Sequence, residues 1–215
     1  MAKLTYETTM SLDGCTTAPD IDLENPLGVG GERLHQWVFG LASWRESHGE
    51  PGGETGPDDD LIKESVTANG AMIMGRRMYS GGSGPWEDDS NANGWWGDDP
   101  PFHVAVFVLT HHAREPLPME GGTTFHFVTE GIEAALEQAK EAAGERNVGI
   151  AGGASVAQQY LKAGLLDELL IHVAPVLIGD GVRLFDDPGP DQVELESIES
   201  IQSPAVTHLR YRVVK

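Results

Sequence analysis

The chain has 215 residues, 40% of them apolar, with 27 glycines and a formal net charge of -20 from 34 acidic against 14 basic residues. This length makes one domain over residues 1–215 the expectation, and the charge repels nucleic acid and anionic membrane surfaces as partners. A single cysteine, Cys15, excludes an internal disulfide. The N-terminus has no basic flank followed by an apolar stretch, and no apolar run approaches ~18 residues, so a cytoplasmic protein without a membrane span is expected.

In chain order, "KLTYETTMSLDG" reads as a first strand closed by an Asp-Gly turn. "GERLHQWVFGLASW" sets Leu34, Trp37, Val38 and Leu41 at helical spacing. Residues 45–60, almost free of apolar side chains, read as a mobile surface loop, and "DLIKESVTANG" as a short helix. "AMIMG" is a buried strand, followed by a long loop over 81–101 that carries Trp86, Trp95 and Trp96. "HVAVFVLT" and "TTFHFVT" are strands, and "IEAALEQAKEAAGE" is a helix with Ile132, Ala135, Leu136 and Ala139 on one stripe. "NVGIAG" is a strand, "ASVAQQYLKAG" a helix closed at Gly164, and "LDELLIHVAPVLIG" a long strand with Pro175 marking a bulge or edge. "QVELESI" and "AVTHLRYRVVK" alternate with period two and form a terminal antiparallel pair. Strands alternating with helices specify an α/β protein with a mainly parallel, buried sheet.

Open α/β sheets bind ligands at the carboxyl ends of their strands, and three segments end strands with chemistry. At "GIAGGAS", Gly152 and Gly153 precede a helix whose first N–H groups suit a diphosphate; a plain turn capped by Ser155 is the alternative. At "MIMGRRMYS", Arg76 and Arg77 suit phosphate, the 2'-phosphate of NADP included, or else form ordinary ion pairs at a helix start. At "VFVLTHH", Thr110, His111 and His112 offer donors to a ribose or phosphate. No metal is expected there, because consecutive side chains diverge and no ligand cluster accompanies them. Cys15 reads as a small apolar residue without a companion base. No G-x-S-x-G elbow or P-loop occurs. The tryptophans of the long loop either wall a planar substrate or anchor the loop.

In order and spacing, "MIMGRRMYS", "FVLTHH" and "AGGAS" resemble the dihydrofolate reductase-like superfamily. "GGASVAQQYLKAGLLDELLIHVAPVLIGDGVRLF" resembles the RibD C-terminal reductase domain of riboflavin biosynthesis, here as a stand-alone domain. The resemblance implies a three-layer sandwich with a mostly parallel sheet of about eight strands and an antiparallel C-terminal pair. It implies NADPH, with Gly75, Arg76 and Arg77 at the adenosine phosphates and Leu109, Thr110 and His111 beside the adenine ribose. Gly152, Gly153, Ala154, Ser155 and Val156 would cradle the diphosphate, and the stretch from Thr9 to Asp13 would border the nicotinamide. A homodimer is expected. The riboflavin reductases usually carry "T-V-x-x-D-x-P" where this chain has the "MGRR-MY" form, and a folate reductase has a carboxylate on its first helix where "GERLHQWVFG" offers Glu32 or His35.

The expectation from this resemblance is an NADPH-dependent reductase of a small heterocycle, akin to 5-amino-6-(5-phosphoribosylamino)uracil reductase. Asp13, Glu32 and His35 are its candidates for handling the proton, and Trp86 and Trp95 its candidates for contacting substrate. The alternatives are a pterin reductase or a non-catalytic NADP- or ligand-binding protein.

Overall fold

The computed structural model describes residues 2–186 and 192–215. Along the chain run β1 (Leu4–Ser11), a 3-10 turn (Gly31–His35), α1 (Gln36–Phe39), α2 (Ala42–Ser47), α3 (Pro57–Ala68), β2 (Asn69–Gly75), α4 (Arg76–Ser80), β3 (Ala105–Leu109) and β4 (Leu117–Pro118). Then follow β5 (Thr124–Val128), α5 (Ile132–Ala143), β6 (Asn147–Ile150), α6 (Ala154–Lys162), β7 (Glu168–Ala174), β8 (Leu195–Gln202) and β9 (Thr207–Val213). These elements pack as two compact units, one comprising the chain through Tyr6 together with Ala68–Leu166, the other Glu7–Thr67 together with Asp167–Lys215.

In the first unit the strand order is β4-β5-β3-β2-β6-β1, every pair parallel except β4 with β5. Parallel strands buried on both faces need near-continuous apolar runs, and "AMIM" and "AVFVL" supply them. Met74, Tyr79, Val106, Val108 and Phe125 form a fully buried cluster, each side chain contributing roughly 1.5–3 kcal/mol by leaving water. Helix α5 buries Ala135, Leu136, Ala139 and Ala143 and packs on β2, β3 and β6. The two-residue strand β4 brings the count to nine, one more than the expected eight.

In the second unit the order is β1-β7-β9-β8, with β7–β9 and β8–β9 antiparallel as the alternating C-terminal pattern requires. β7 stops at Ala174, immediately before Pro175, which has no N–H to continue a ladder. The stripe Leu34, Trp37, Val38 and Leu41 is buried as expected. No single helix carries it: Leu34 lies in the 3-10 turn, Trp37 and Val38 in α1, and Leu41 beyond Gly40 as the N-cap of α2. The expected loop over 45–60 is shorter than read. α2 reaches Ser47, and α3 starts at Pro57 with Asp58, Asp59 and Asp60 in its first turn, where proline and acidic side chains favour a helix start.

Candidate functional site

β3, β2 and β6 run side by side in one direction. Gly75 stands in register with Leu109, and the Ala151 N–H donates to the Ile73 carbonyl at 2.8 Å. The three chemistry-bearing segments therefore leave the first unit's sheet together.

At the β6 exit Gly152 has φ 134° and Gly153 φ 83°, a region that favours glycine. A Cβ on Gly152 would also stand 3.1 Å from Met78 Cε. Gly153 is the N-cap of α6, and no side chain caps the helix, so the Ser155-capped turn does not form. The amide of Val156 donates to the Gly153 carbonyl at 3.0 Å, whereas those of Ala154 and Ser155 have no acceptor among the described residues. Two free N–H groups at the positive end of a helix, with Ser155 exposed beside them, suit an anion. Ala154 and Val156 face inward and are buried; a Cβ on Gly75 would stand 3.0 Å from Val156 Cγ2.

At the β2 exit Arg76 is 7% exposed; its two terminal nitrogens are engaged, and its Nε is buried without a hydrogen-bond partner among the described residues. It donates to Ser80 Oγ and, at 2.5 Å, to Asp89 Oδ2, and it lies 3.7 Å over the Trp86 ring. Burial pushes the Asp89 carboxyl up, but hydrogen bonds from Ser80, Arg76 and the Asn91 amide outweigh it and hold the group below the ordinary carboxylate range. A buried guanidinium paired this way fastens the 81–101 loop. Arg77 is exposed, and its side chain has no ion pair or hydrogen bond among the described residues.

Trp86 anchors the same loop. Arg76 covers its face, Nε1 donates to the His112 carbonyl at 2.8 Å, and Tyr79 and Phe127 pack edgewise against it. Trp95 is half-buried, and its amide donates to the Tyr79 carbonyl at 3.4 Å. At the β3 exit Thr110 is buried and its hydroxyl accepts from the His112 amide at 3.1 Å, so the side chain caps its own turn; Leu109 is half-buried and His111 exposed.

In the second unit the Thr9 hydroxyl is buried and accepts from Trp37 Nε1 at 3.3 Å. Asp13 accepts from Ser11 Oγ (2.6 Å), the Gly179 amide (2.7 Å) and the Ile178 amide (3.1 Å), which hold its pKa at about 2. These bonds fasten its turn to residues 178–179. Glu32 is exposed. His35 is half-buried, its Nδ1 buried without a partner; burial, and secondly the charge of His172, push its pKa down.

The densest polar cluster of this unit was not among the expected residues. His172 Nδ1 meets His208 Nδ1 at 2.6 Å, Glu7 Oε1 stands 2.8 Å from His172 Nε2, and Asp58 Oδ1 stands 3.0 Å from His208 Nε2. The one sequence signal was a histidine inside the apolar run "LLIHVA".

Comparison with known proteins agrees with this architecture. Residues 2–208 match the model of the RibD C-terminal domain. A riboflavin-biosynthesis assignment attaches to a solved protein of Shewanella sp. PV-4, which is 21% identical with TM-score 0.65 and full coverage of both chains. The deaminase/5-amino-6-(5-phosphoribosylamino)uracil reductase of Thermotoga maritima is 12% identical with TM-score 0.58, over 99% of this chain and 57% of that one. The riboflavin biosynthesis reductase Rib7 of Saccharomyces cerevisiae is 14% identical with TM-score 0.54, over 100% of this chain and 90% of that one. Among curated proteins, YwjB of Bacillus subtilis, itself uncharacterized, is 38% identical over 61 residues, 28% of this chain and 34% of that protein. The α/β architecture, mostly parallel with antiparallel C-terminal strands, is the dihydrofolate reductase-like fold of these reductase domains. The chain belongs to the RibD C-terminal domain family.

Proposed function

We propose that the protein is an NADPH-dependent reductase of a small heterocyclic substrate of the 5-amino-6-(5-phosphoribosylamino)uracil kind, acting as a cytoplasmic homodimer. The observation that carries this reading is the uncapped start of α6, with two free amides behind two glycines at a strand exit. Family membership and the reductase domains that share the fold support it.

The residues present fit a dinucleotide at its phosphates. Gly152 and Gly153 leave the backbone approachable, the Ala154 and Ser155 amides and the Ser155 hydroxyl would hold the diphosphate, and Arg77 is the free cation for the 2'-phosphate. Leu109 and His111 would flank the adenine ribose, and Thr9 the nicotinamide. The bound cofactor supplies a hydride. The chain's own tasks are to orient the acceptor carbon, exclude water and provide a proton to the atom beside it. His35 and Glu32 are the candidates for handling the proton, and Trp95 is a candidate for contacting substrate.

Titration of the purified protein with NADPH and NADH, read by tryptophan fluorescence, tests the cofactor. Loss of 340 nm absorbance on adding aminopyrimidine or pterin acceptors tests turnover. NADPH binding with acceptor-dependent oxidation is expected. Binding without oxidation leaves a ligand-binding protein, and no binding of either dinucleotide removes the reading.

A further inference from the structure

The second unit buries two histidines whose hydrogen bonds cannot be satisfied by two neutral rings. The chain Glu7, His172, His208, Asp58 contains three close contacts, carboxylate to Nε2, Nδ1 to Nδ1, and Nε2 to carboxylate, at 2.8, 2.6 and 3.0 Å. Each needs one hydrogen. Two neutral imidazoles carry one hydrogen apiece, so with both carboxylates ionised the third makes one ring an imidazolium.

We propose that these four side chains hold one proton in reserve beyond those of two neutral imidazoles, and that Glu7 is the end from which it is delivered to the substrate. The delivery rests on the reductase reading above; the reserve rests on the geometry alone.

The surroundings suit a stored charge. The His172 and His208 side chains are 3% and 1% exposed, and each ring faces a carboxylate that neutralises an added proton. The Trp37 ring packs at 4.8 Å from His172 and 5.3 Å from His208, sealing both from water. Burial lowers the pKa of His208, and the charge of His172 lowers it further despite Asp58. Three hydrogens for three contacts give the two rings one extra proton between them: one Nδ1–H donates to the bare Nδ1 of the other ring, and the two Nε2–H groups donate to Glu7 and Asp58.

The other groups around the pair are accounted for. His35 of the 3-10 turn is disfavoured as a second cation by burial and by His172. Along α3, Asp59 is taken by Lys63 at 2.6 Å and Glu64 by Arg210 of β9 at 3.1 Å. A metal between the rings is excluded by spacing, since two nitrogens bound tetrahedrally at about 2.0 Å each stand roughly 3.3 Å apart.

Moving each of the three hydrogens within its own bond places the extra proton on Asp58, on a ring or on Glu7, without moving a heavy atom. Glu7 is the more open end, with its side chain 28% exposed against 17% for Asp58. In a reduction the π bond of a C=N or C=O group breaks onto nitrogen or oxygen as hydride from reduced nicotinamide forms the new C–H bond. Glu7 takes the proton on His172 Nε2 and passes it to that heteroatom, which leaves an ionised Glu7 and two neutral rings. The vacated link recharges from water at Glu7.

Long-range 1H–15N NMR on the labelled full chain at pH 7, assigned with His172→Gln and His208→Gln, counts the ring protons. Three protonated nitrogens of four, with one Nδ1 bare, are expected; two of four would overturn the reserve. Asp58→Asn keeps the shape of the link and should move release of the third proton to lower pH by about one unit. No movement would also overturn it. Glu7→Gln should lower kcat at least tenfold, hold KM and displace the pH profile of kcat; wild-type kcat and profile would overturn delivery. If the unmodified chain binds NADPH but does not oxidise it when any of the acceptors is added, delivery falls together with the reductase reading, and the ring count still judges the reserve on its own.

Discussion

At the strand exits of the first unit, polar groups stand unspent. Two α6 amides have no acceptor, Ser155 caps nothing, and Arg77 has no partner among the described residues. In the core of the second unit the reverse holds, since Glu7, His172, His208 and Asp58 satisfy one another down to the last hydrogen. The energetic consequences differ accordingly. A polar group facing water at an exit costs little to keep and is free to bind a ligand, whereas a buried one is affordable only when paired and becomes costly once its partner is removed. Polar deletions in the two regions should therefore separate cleanly into losses of binding and losses of stability.

The widest separation is expected between His172→Leu and Ser155→Ala. The first strands Glu7 and leaves His208 Nδ1 without a partner in the core, and urea unfolding should register a loss of about 3–5 kcal/mol. The second removes a hydroxyl that caps nothing and should stay within about 0.5 kcal/mol of the parent, with its effect confined to dinucleotide affinity. Similar losses of stability in both variants would break the comparison.

The adjacent arginines repeat the contrast across one peptide bond. Arg76→Ala leaves Asp89 buried without its counter-charge, a loss of about 2–3 kcal/mol for a charged hydrogen-bond partner. It should also free the 81–101 loop, seen as faster proteolysis there. Arg77→Ala should leave unfolding unchanged and weaken NADPH about tenfold, roughly 1.4 kcal/mol, with NADH affected much less. A fall in NADPH affinity for Arg76→Ala alone would reassign the phosphate contact.

How much of this was legible in the sequence follows the same division. Strand exits are local: "AGGAS", "MGRR" and "VLTHH" each announce a strand end in a few residues, and their alignment follows from parallel topology. The partner of Arg76 is not local. Asp89 lies 13 residues on in a loop without periodicity, so the phosphate reading and the ion-pair reading of the arginines carried equal weight. The histidine chain is less local still, since Glu7 and His172 are 165 residues apart and Asp58 and His208 are 150 apart. His208 sits opposite Thr207 and Leu209 on an alternating strand, where period-two reading assigns it to the polar face; the β7–β9 pairing sets it beside His172 and buries it. Trp37 was read correctly as core, but what it packs against depends on that pairing.

Gly152→Val sharpens the comparison at the exit itself. The added side chain meets Met78 and must adopt φ 134°, which costs about 1–2 kcal/mol, and it stands where a diphosphate would approach the backbone. NADPH affinity should fall tenfold or more by fluorescence titration, while His172 and His208 keep their ring-proton count by NMR. A changed count would mean that the variant disturbs the second unit and that the two regions are not separable.

The smallest effect belongs to Asp13, which is polar and satisfied like the histidine chain yet lies at the surface. Three donors depress its pKa from the ordinary 3.8 to about 2. A carboxylate depressed on folding adds stability that is complete above the unfolded value and is lost as pH falls through the folded one. The difference in melting temperature between parent and Asp13→Asn should therefore be constant above about pH 5, narrow as pH drops below 3.8, and close near pH 2. A gap that persists unchanged below that pH would mean that Asp13 acts by shape rather than charge. The test would then favour the turn itself, built from Ser11 and the 178–179 amides, as what holds this loop.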